Sequence, residues 1–361
     1  MKILHRYIIR EFLESFFFGL AVFSFILLLD QIFQLVNLFL SKGISLFLVA
    51  KLFVLILPNI FSLTIPMSVL LGILLAYGRF SEDNEITSMR SAGMGYFSFT
   101  SPVLAGVLCL SLFLVFFNQT LSPVTHRQFR QIYKEVLSQH PLVKFEEKTI
   151  TRVGDYRMYV DTVAQDGLKG VNIYKFSPSE AGVPWRISAA SATVSVGQDA
   201  VLFLLYNGYW QKANPAHPEN LIHLKFSSYQ FTIPLGGEVI PVSQSLREMS
   251  GRQLRVEMKA YRDKKMPTNF IETEYWLRWT LAFAPFVFAV VGIPLGIVLE
   301  RGGRSIGFGI SLLVLFAYYL LLVTGLNMGE KGYAAPKYVL MLPNAAAFLA
   351  GLWLWRKMLK K

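Results

Sequence analysis

The segment SEDNEITSMRSAGM, residues 81–94, sets three acids and one arginine between two long apolar stretches. In helical register Ser81 can cap, Glu82 and Asp83 place negative charge at the positive end, Arg90 falls in the last turn and Gly93 is a typical stop. The spacing predicts a helix of about three turns over roughly 81–93. Ile86, Met89 and Gly93 then share one face, and Glu82 and Glu85 a polar one. Such a helix either docks a protein partner or is a solvated interfacial loop, and spacing leaves both open. A second group, in SPVTHRQFRQIYKE, repeats Arg127, Arg130 and Lys134 at intervals of three and four. In a helix they form one basic stripe, suited to phosphate oxygens or simply solvated. Arg278 follows Glu274 by one turn, so an i, i+4 ion pair competes with any outside anion.

Enzyme chemistry finds little support. There is no G-x-x-x-x-G-K-[ST] phosphate loop, so the chain is not expected to bind ATP in that way. The five histidines lack metal-ligand spacing, and AHPENLIH reads as loop and strand. Gly303 and Gly307 in RGGRSIGFG open an apolar stretch at the spacing of close helix packing. No cofactor or metal is expected.

The elements that must position these residues are mostly apolar. Of 361 residues, 53% are hydrophobic and 16% charged, with 30 Phe, which marks an integral membrane protein. The net charge of +12 then records basic residues retained on one side of the membrane rather than nucleic-acid binding. A single cysteine, Cys109, excludes an intrachain disulfide. The N-terminal apolar run is longer than a signal-peptide core and is expected to be a retained span. Six segments reach the roughly 20 residues that a membrane helix needs: near Ser15–Val36, Leu52–Tyr77, Phe97–Phe117, Trp276–Leu299, Ser305–Leu326 and Tyr338–Trp355. From Pro123 to Asn269, short alternating runs such as RMYVDTV and GVNIYKF are punctuated by Gly154, Gly167, Pro178, Gly182 and Pro215. That predicts a β sandwich or jelly roll outside the membrane. The expected organisation is a six-span α-helical membrane protein with helices over 1–122 and 271–361 and the β domain over 123–270.

With the N-terminus inside, the inner segments hold eleven basic residues: Lys2, Arg6, Arg10, Arg79, Arg90, Arg301, Arg304, Arg356, Lys357, Lys360 and Lys361. The short outer segments hold Lys42, Lys51, Lys331 and Lys337. Both termini and residues 81–94 are therefore expected in the cytoplasm, and the β domain outside, in the periplasm of a bacterium.

LHRYIIREFLESFFFGL, LPNIFSLTIPMSVLLGILLAYGRFSEDNEITSMRSAGM, ERGGRSIGFG and LPNAAAFLAGLWLW together resemble the YjgP/YjgQ permease family, the LptF and LptG subunits of the lipopolysaccharide exporter. The likeness runs end to end, with E-I-T-x-x-R-x-x-G its most specific piece. RYIIREFL, SEDNEITSMRSAGM and RGGRSIGFGISLLVLFAYYLLL are closer to the LptF type. The resemblance implies an inner-membrane heterodimer with an LptG-type permease over two copies of a cytoplasmic LptB-type ATPase, which would use ATP and Mg. It implies a periplasmic β-jellyroll that passes lipopolysaccharide to a membrane-anchored LptC-type bridge by strand addition, and no nucleic acid.

It further implies that residues 81–93 are the coupling helix seated in the ATPase groove, its acids meeting basic or amide groups and Ile86 and Met89 filling the apolar floor. Family arginines after the third span match Arg130 best and Lys134 approximately. Where family permeases carry basic residues late in the first span, this chain has LLLDQIFQLVN, with Asp30, and Lys42 is the nearest replacement. Arg278 is a further phosphate candidate. The resemblance also implies that spans one and five, segments 15–36 and 305–326, line the lateral openings for lipid. The rival class is a non-transporting scaffold anchoring a β domain.

Overall fold

The structure is a computed structural model that describes residues 2–42, 45–139, 148–153, 156–164, 167–175, 185–196, 200–213, 221–234, 246–298 and 303–360. Gly154, Pro178, Gly182, Pro215, His140, His217, Arg301 and Lys361 lie outside the described residues, as do the side chains of Asp30, Lys42, Lys134, Gly303 and Arg304. The chain divides into two compact units, one of Met1–Leu35, Ala50–Phe129 and Ser243–Lys361, the other of Val36–Val49 and Arg130–Val242.

Six helices are long and apolar enough to cross a membrane, and the first unit holds them except for the end of α1 and the start of α2. They are α1 (Lys2–Lys42), α2 (Leu46–Glu82), α4 (Tyr96–Phe116), α7 (Asn269–Val298), α8 (Gly303–Glu330) and α9 (Pro336–Leu359), and a short α3 (Glu85–Ser91) joins α2 to α4. Helix α7 is the centre, with 78% of its apolar window buried against 33% or less in the others. In lipid, helices associate by close packing and interhelical hydrogen bonds. Both are present. A Cβ on Gly72 of α2 would lie 2.9 Å from the backbone of Phe16 in α1. Trp355 Nε1 donates to Val290 O at 3.0 Å, Asn344 Nδ2 to Thr280 O at 3.0 Å, and Tyr318 OH to Asn344 Oδ1 at 2.9 Å, tying α7, α8 and α9 together. Gly307 of α8 packs on Leu74 of α2. Helix α7 continues through Pro285 and Pro294; beside the first, Ser111 Oγ of α4 accepts the Phe286 N–H at 3.2 Å, a repair expected where proline disturbs the ladder.

Two helices occupy parts of the chain where the alternating pattern predicts strands. Helix α4 passes through a π-helical turn, Phe117–Leu121, directly into α5 (Ser122–Gln139), and α6 (Gly251–Asp263) precedes α7. Both are amphipathic and polar; α5 prolongs the third membrane-capable helix, which runs Tyr96–Tyr133, and α6 stands apart from any span.

The second unit carries one antiparallel six-stranded sheet in the order β1 (Ile150–Val153), β2 (Tyr156–Ala164), β3 (Gly167–Lys175), β4 (Trp185–Val196), β5 (Ala200–Ala213) and β6 (Leu221–Pro234). In a flat sheet, β2 and β6 would stand about 19 Å apart at ~4.8 Å per strand. Yet the Tyr156 and Phe231 ring centroids are 5.2 Å apart, and Trp185 and Phe231 5.9 Å. The sheet therefore curls over itself into a trough. Its interior is apolar, formed by Met158, Val171, Ile187, Phe203 and Phe231 among others.

Candidate functional site

The predicted helix over 81–93 is two elements. Ser81 is not its cap: it is buried in the last turn of α2 and donates through Oγ to Ile297 O of α7 at 2.9 Å. Asn84 takes a left-handed conformation, φ 56°, and separates α2 from a seven-residue α3, two turns rather than three. The stop is as the sequence predicts. Gly93 sits at φ +83°, its N–H bonds Arg90 O at 2.9 Å, and the Met94 N–H bonds Met89 O at 3.1 Å. Those two bonds form a Schellman motif, in which glycine carries the left-handed residue without steric cost.

Helix α3 also faces differently from the expectation. Ile86 and Met89, at 5% and 7% exposure, pack into the chain's own core with Ile8, Phe80, Phe99 and Met358. They are not a floor offered to a partner: an apolar pair on a short helix is claimed first by the core beneath it. Glu85 also turns inward, its Oε1 accepting from Tyr7 OH of α1 at 2.9 Å. Arg90 is exposed and lies over the Tyr96 ring, 4.3 Å from its centroid. The exposed residues of 81–93 are Glu82, Asp83, Asn84, Thr87, Ser88, Arg90, Ser91, Ala92 and Gly93. Next to them Arg79 bonds Glu11 of α1 through Nη1, Asp83 Oδ2 at 3.3 Å and Tyr7 OH at 3.5 Å. A polar web thus fastens the α2–α3 junction to α1. Beside it a groove of about 510 Å³ opens between α1, α2 and α8, lined by Glu11, Glu14, Phe18, Leu75, Arg79 and Phe308.

At the other end of the spans the structure assigns new partners to the basic candidates. Arg127 of α5 donates to Glu248 O at 3.0 Å and to Gln253 Oε1 at 3.3 Å. Gln253 itself completes a capping box with Ser250 at the start of α6. Arg278, only 6% exposed, donates through Nε to Glu274 Oε1 at 3.0 Å, through Nη1 to Met249 O at 2.6 Å and through Nη2 to Leu246 O at 2.9 Å. All three guanidinium nitrogens are engaged inside the protein, so Arg278 is a structural clamp and not a phosphate contact. Burying that charge is tolerable because a carboxylate and several carbonyls replace its water. Arg127 and Arg278 thus meet on one stretch, Leu246–Met249. Arg130 and Lys134 continue along α5, and Lys42 lies at the end of α1; all three fall in the second unit.

Gln119, in the π-helical turn, packs against Gly251 with both amide atoms buried and unpartnered, where a Cβ on residue 251 would collide with it. Sequence reasoning missed the basic face of α6. The signal was available: GRQLRVEMKAYRD repeats Arg252, Arg255, Lys259 and Arg262 at three, four and three, a helical spacing hidden by the surrounding strand pattern.

Comparison with known proteins gives a consistent result. Residues 6–357 match the model of the family described as lipopolysaccharide export system permease LptF/LptG. The chain is 20% identical to the lipopolysaccharide export system permease protein LptF of Escherichia coli K12 over 357 residues, 97% of this chain and 95% of the relative. The LptF of Shigella flexneri matches with the same identity and coverage. An uncharacterized protein of Rickettsia prowazekii, RP871, is 22% identical over 229 residues, 63% of this chain and 62% of its own length.

Proposed function

Because the chain belongs to the LptF/LptG family of lipopolysaccharide export permeases, we propose that it is the LptF-type half of an ATP-driven exporter in the bacterial inner membrane. Its partners are an LptG-type permease, two LptB-type ATPases that hydrolyse ATP with Mg, and an LptC-type bridge. Both termini and α3 face the cytoplasm and the sheet faces the periplasm. The E. coli and Shigella relatives that cover almost the whole chain carry the LptF name, which supports the choice within the family.

The observation that carries the mechanism is the two-sided character of α3. Its inner face is locked to α1 and the core by Glu85, Ile86 and Met89, while Thr87, Ser88 and Ser91 stand exposed. A helix anchored in this way transmits a push from an ATPase groove into α1 and α2 instead of absorbing it. Closure of the ATPases then narrows the space between the two permeases and drives lipid out of it, and the curled apolar trough of the sheet is suited to receive acyl chains. One long edge, β6, has only β5 as a neighbour among the described residues, so it supports strand addition by a bridge.

The test uses the reconstituted complex with Ser88→Arg, an exposed change expected to alter stability by no more than about 0.5 kcal/mol. Lipid-stimulated ATP hydrolysis and copurified ATPase should both fall several-fold at unchanged thermal stability. If wild-type membranes show neither lipid-stimulated hydrolysis nor lipid crosslinking to α1 and α8, the protein is a scaffold and the export mechanism is wrong.

A further inference from the structure

Helix α6 turns its apolar side to the protein and its charge away from it. Leu254 is fully buried, and Met258 and Tyr261, one and two turns on, are half-buried. On the opposite arc stand Arg252, Arg255 and Lys259, all exposed, with Val256 beside them at 70% exposure and exposed Asp263 in the last turn. Among the described residues none of these three cations has an acidic partner, whereas Arg262, one turn further, pairs with Glu272 at 3.1 Å. The turn after α6 adds exposed Lys264, Lys265 and Met266.

The helix is fixed near the membrane surface. Arg262 grips Glu272, and the Tyr261 ring meets Phe270 edge to face at 5.6 Å, both in the opening turns of α7. Seven residues along α7 lies Trp276, which has Tyr275 against it at 5.5 Å and the Lys337 ammonium 5.4 Å from its ring. An aromatic and lysine cluster of this kind marks the lipid–water interface. Seven residues of helix rise only about 10 Å, so the free cations stand within about one Debye length of the headgroups once their long side chains extend.

We propose that the outer arc of α6, Arg252, Arg255 and Lys259 around Val256, docks on the phosphates of anionic phospholipids in the leaflet beside α7. A valine exposed beside three cations without an acidic partner suits an anionic interface, where the apolar tip enters the headgroup layer and the cations reach phosphates. The docking holds the start of α7, and with it the Leu246–Met249 clamp, at a set height. It depends on the spans alone and not on the export reading.

The test uses the full-length chain in nanodiscs, with Cys109→Ala and a nitroxide at Val256→Cys. Accessibility of the label to a water-soluble nickel reagent should fall when phosphatidylglycerol is added to phosphatidylcholine. Arg252→Gln, Arg255→Gln, Lys259→Gln together should reduce the headgroup-bound population about 100-fold and largely restore accessibility, and the same three positions changed to Glu should restore it fully. A label equally accessible in both lipids overturns the proposal and makes the arc a solvated face. A response to added lipopolysaccharide without any response to phosphatidylglycerol also overturns it, assigning the stripe to the cargo.

Discussion

Tyr7→Phe removes the tie between α1 and α3, together with a longer contact to Arg79 at 3.5 Å. The substitution removes one hydroxyl, which donates to Glu85 Oε1 at 2.9 Å, and leaves the ring that packs on Phe80 at 5.6 Å. A hydrogen bond to a charged acceptor contributes about 1.5–3 kcal/mol when buried. Glu85 is only half-buried, so solvent screening reduces this to about 1 kcal/mol, a factor of about five in an equilibrium constant. A seven-residue helix has almost no stability of its own, so the loss falls directly on its opening. The amides of Ser88 and Ala92, which bond Asn84 O and Ser88 O, should exchange with deuterium about five times faster in membranes of the variant. Met89→Ala, which empties a core position, should cost about 2–5 kcal/mol and exceed that effect. Within the exporter, lipid-stimulated ATP hydrolysis should weaken in the same order. Exchange in Tyr7→Phe within a factor of about two of wild type would refute the claim that α3 is held by this bond.

Arg278→Ala should strand the Glu274 carboxylate and the carbonyls of Leu246 and Met249, at a cost of about 3–5 kcal/mol, read as lost thermal stability and lower yield in detergent. Gly72→Val forces a branched side chain onto the Phe16 backbone; about 1–3 kcal/mol of overpacking strain should appear as a lowered unfolding temperature, and an unchanged one would mean that α1 is free to move away. Photo-crosslinker at Leu224 or Lys225, exposed on β6, should trap a periplasmic bridge protein, and capture of the sister permease alone would weigh against the LptF-type assignment.

Six spans and an inserted β domain were legible in the sequence because each rests on a count: about 20 apolar residues to cross lipid, and period-two alternation to half-bury a strand. The Gly93 stop was legible for a similar local reason, since a left-handed helix terminus selects glycine. Ownership of side chains was not local. Periodicity grouped Ile86 with Met89, but only the approach of α1, α2, α4 and α9 decided that this face belongs to the chain's own core. Spacing placed Glu274 beside Arg278; it had no means of supplying the carbonyls of Leu246 and Met249, 32 and 29 residues away, that complete the clamp. The same limit hid α6, whose basic arc acquires meaning only when Leu254 is buried and Arg262 is fastened to α7. A linear pattern determines which residues can share a face, whereas the element that packs against that face is set by contacts distant in the chain.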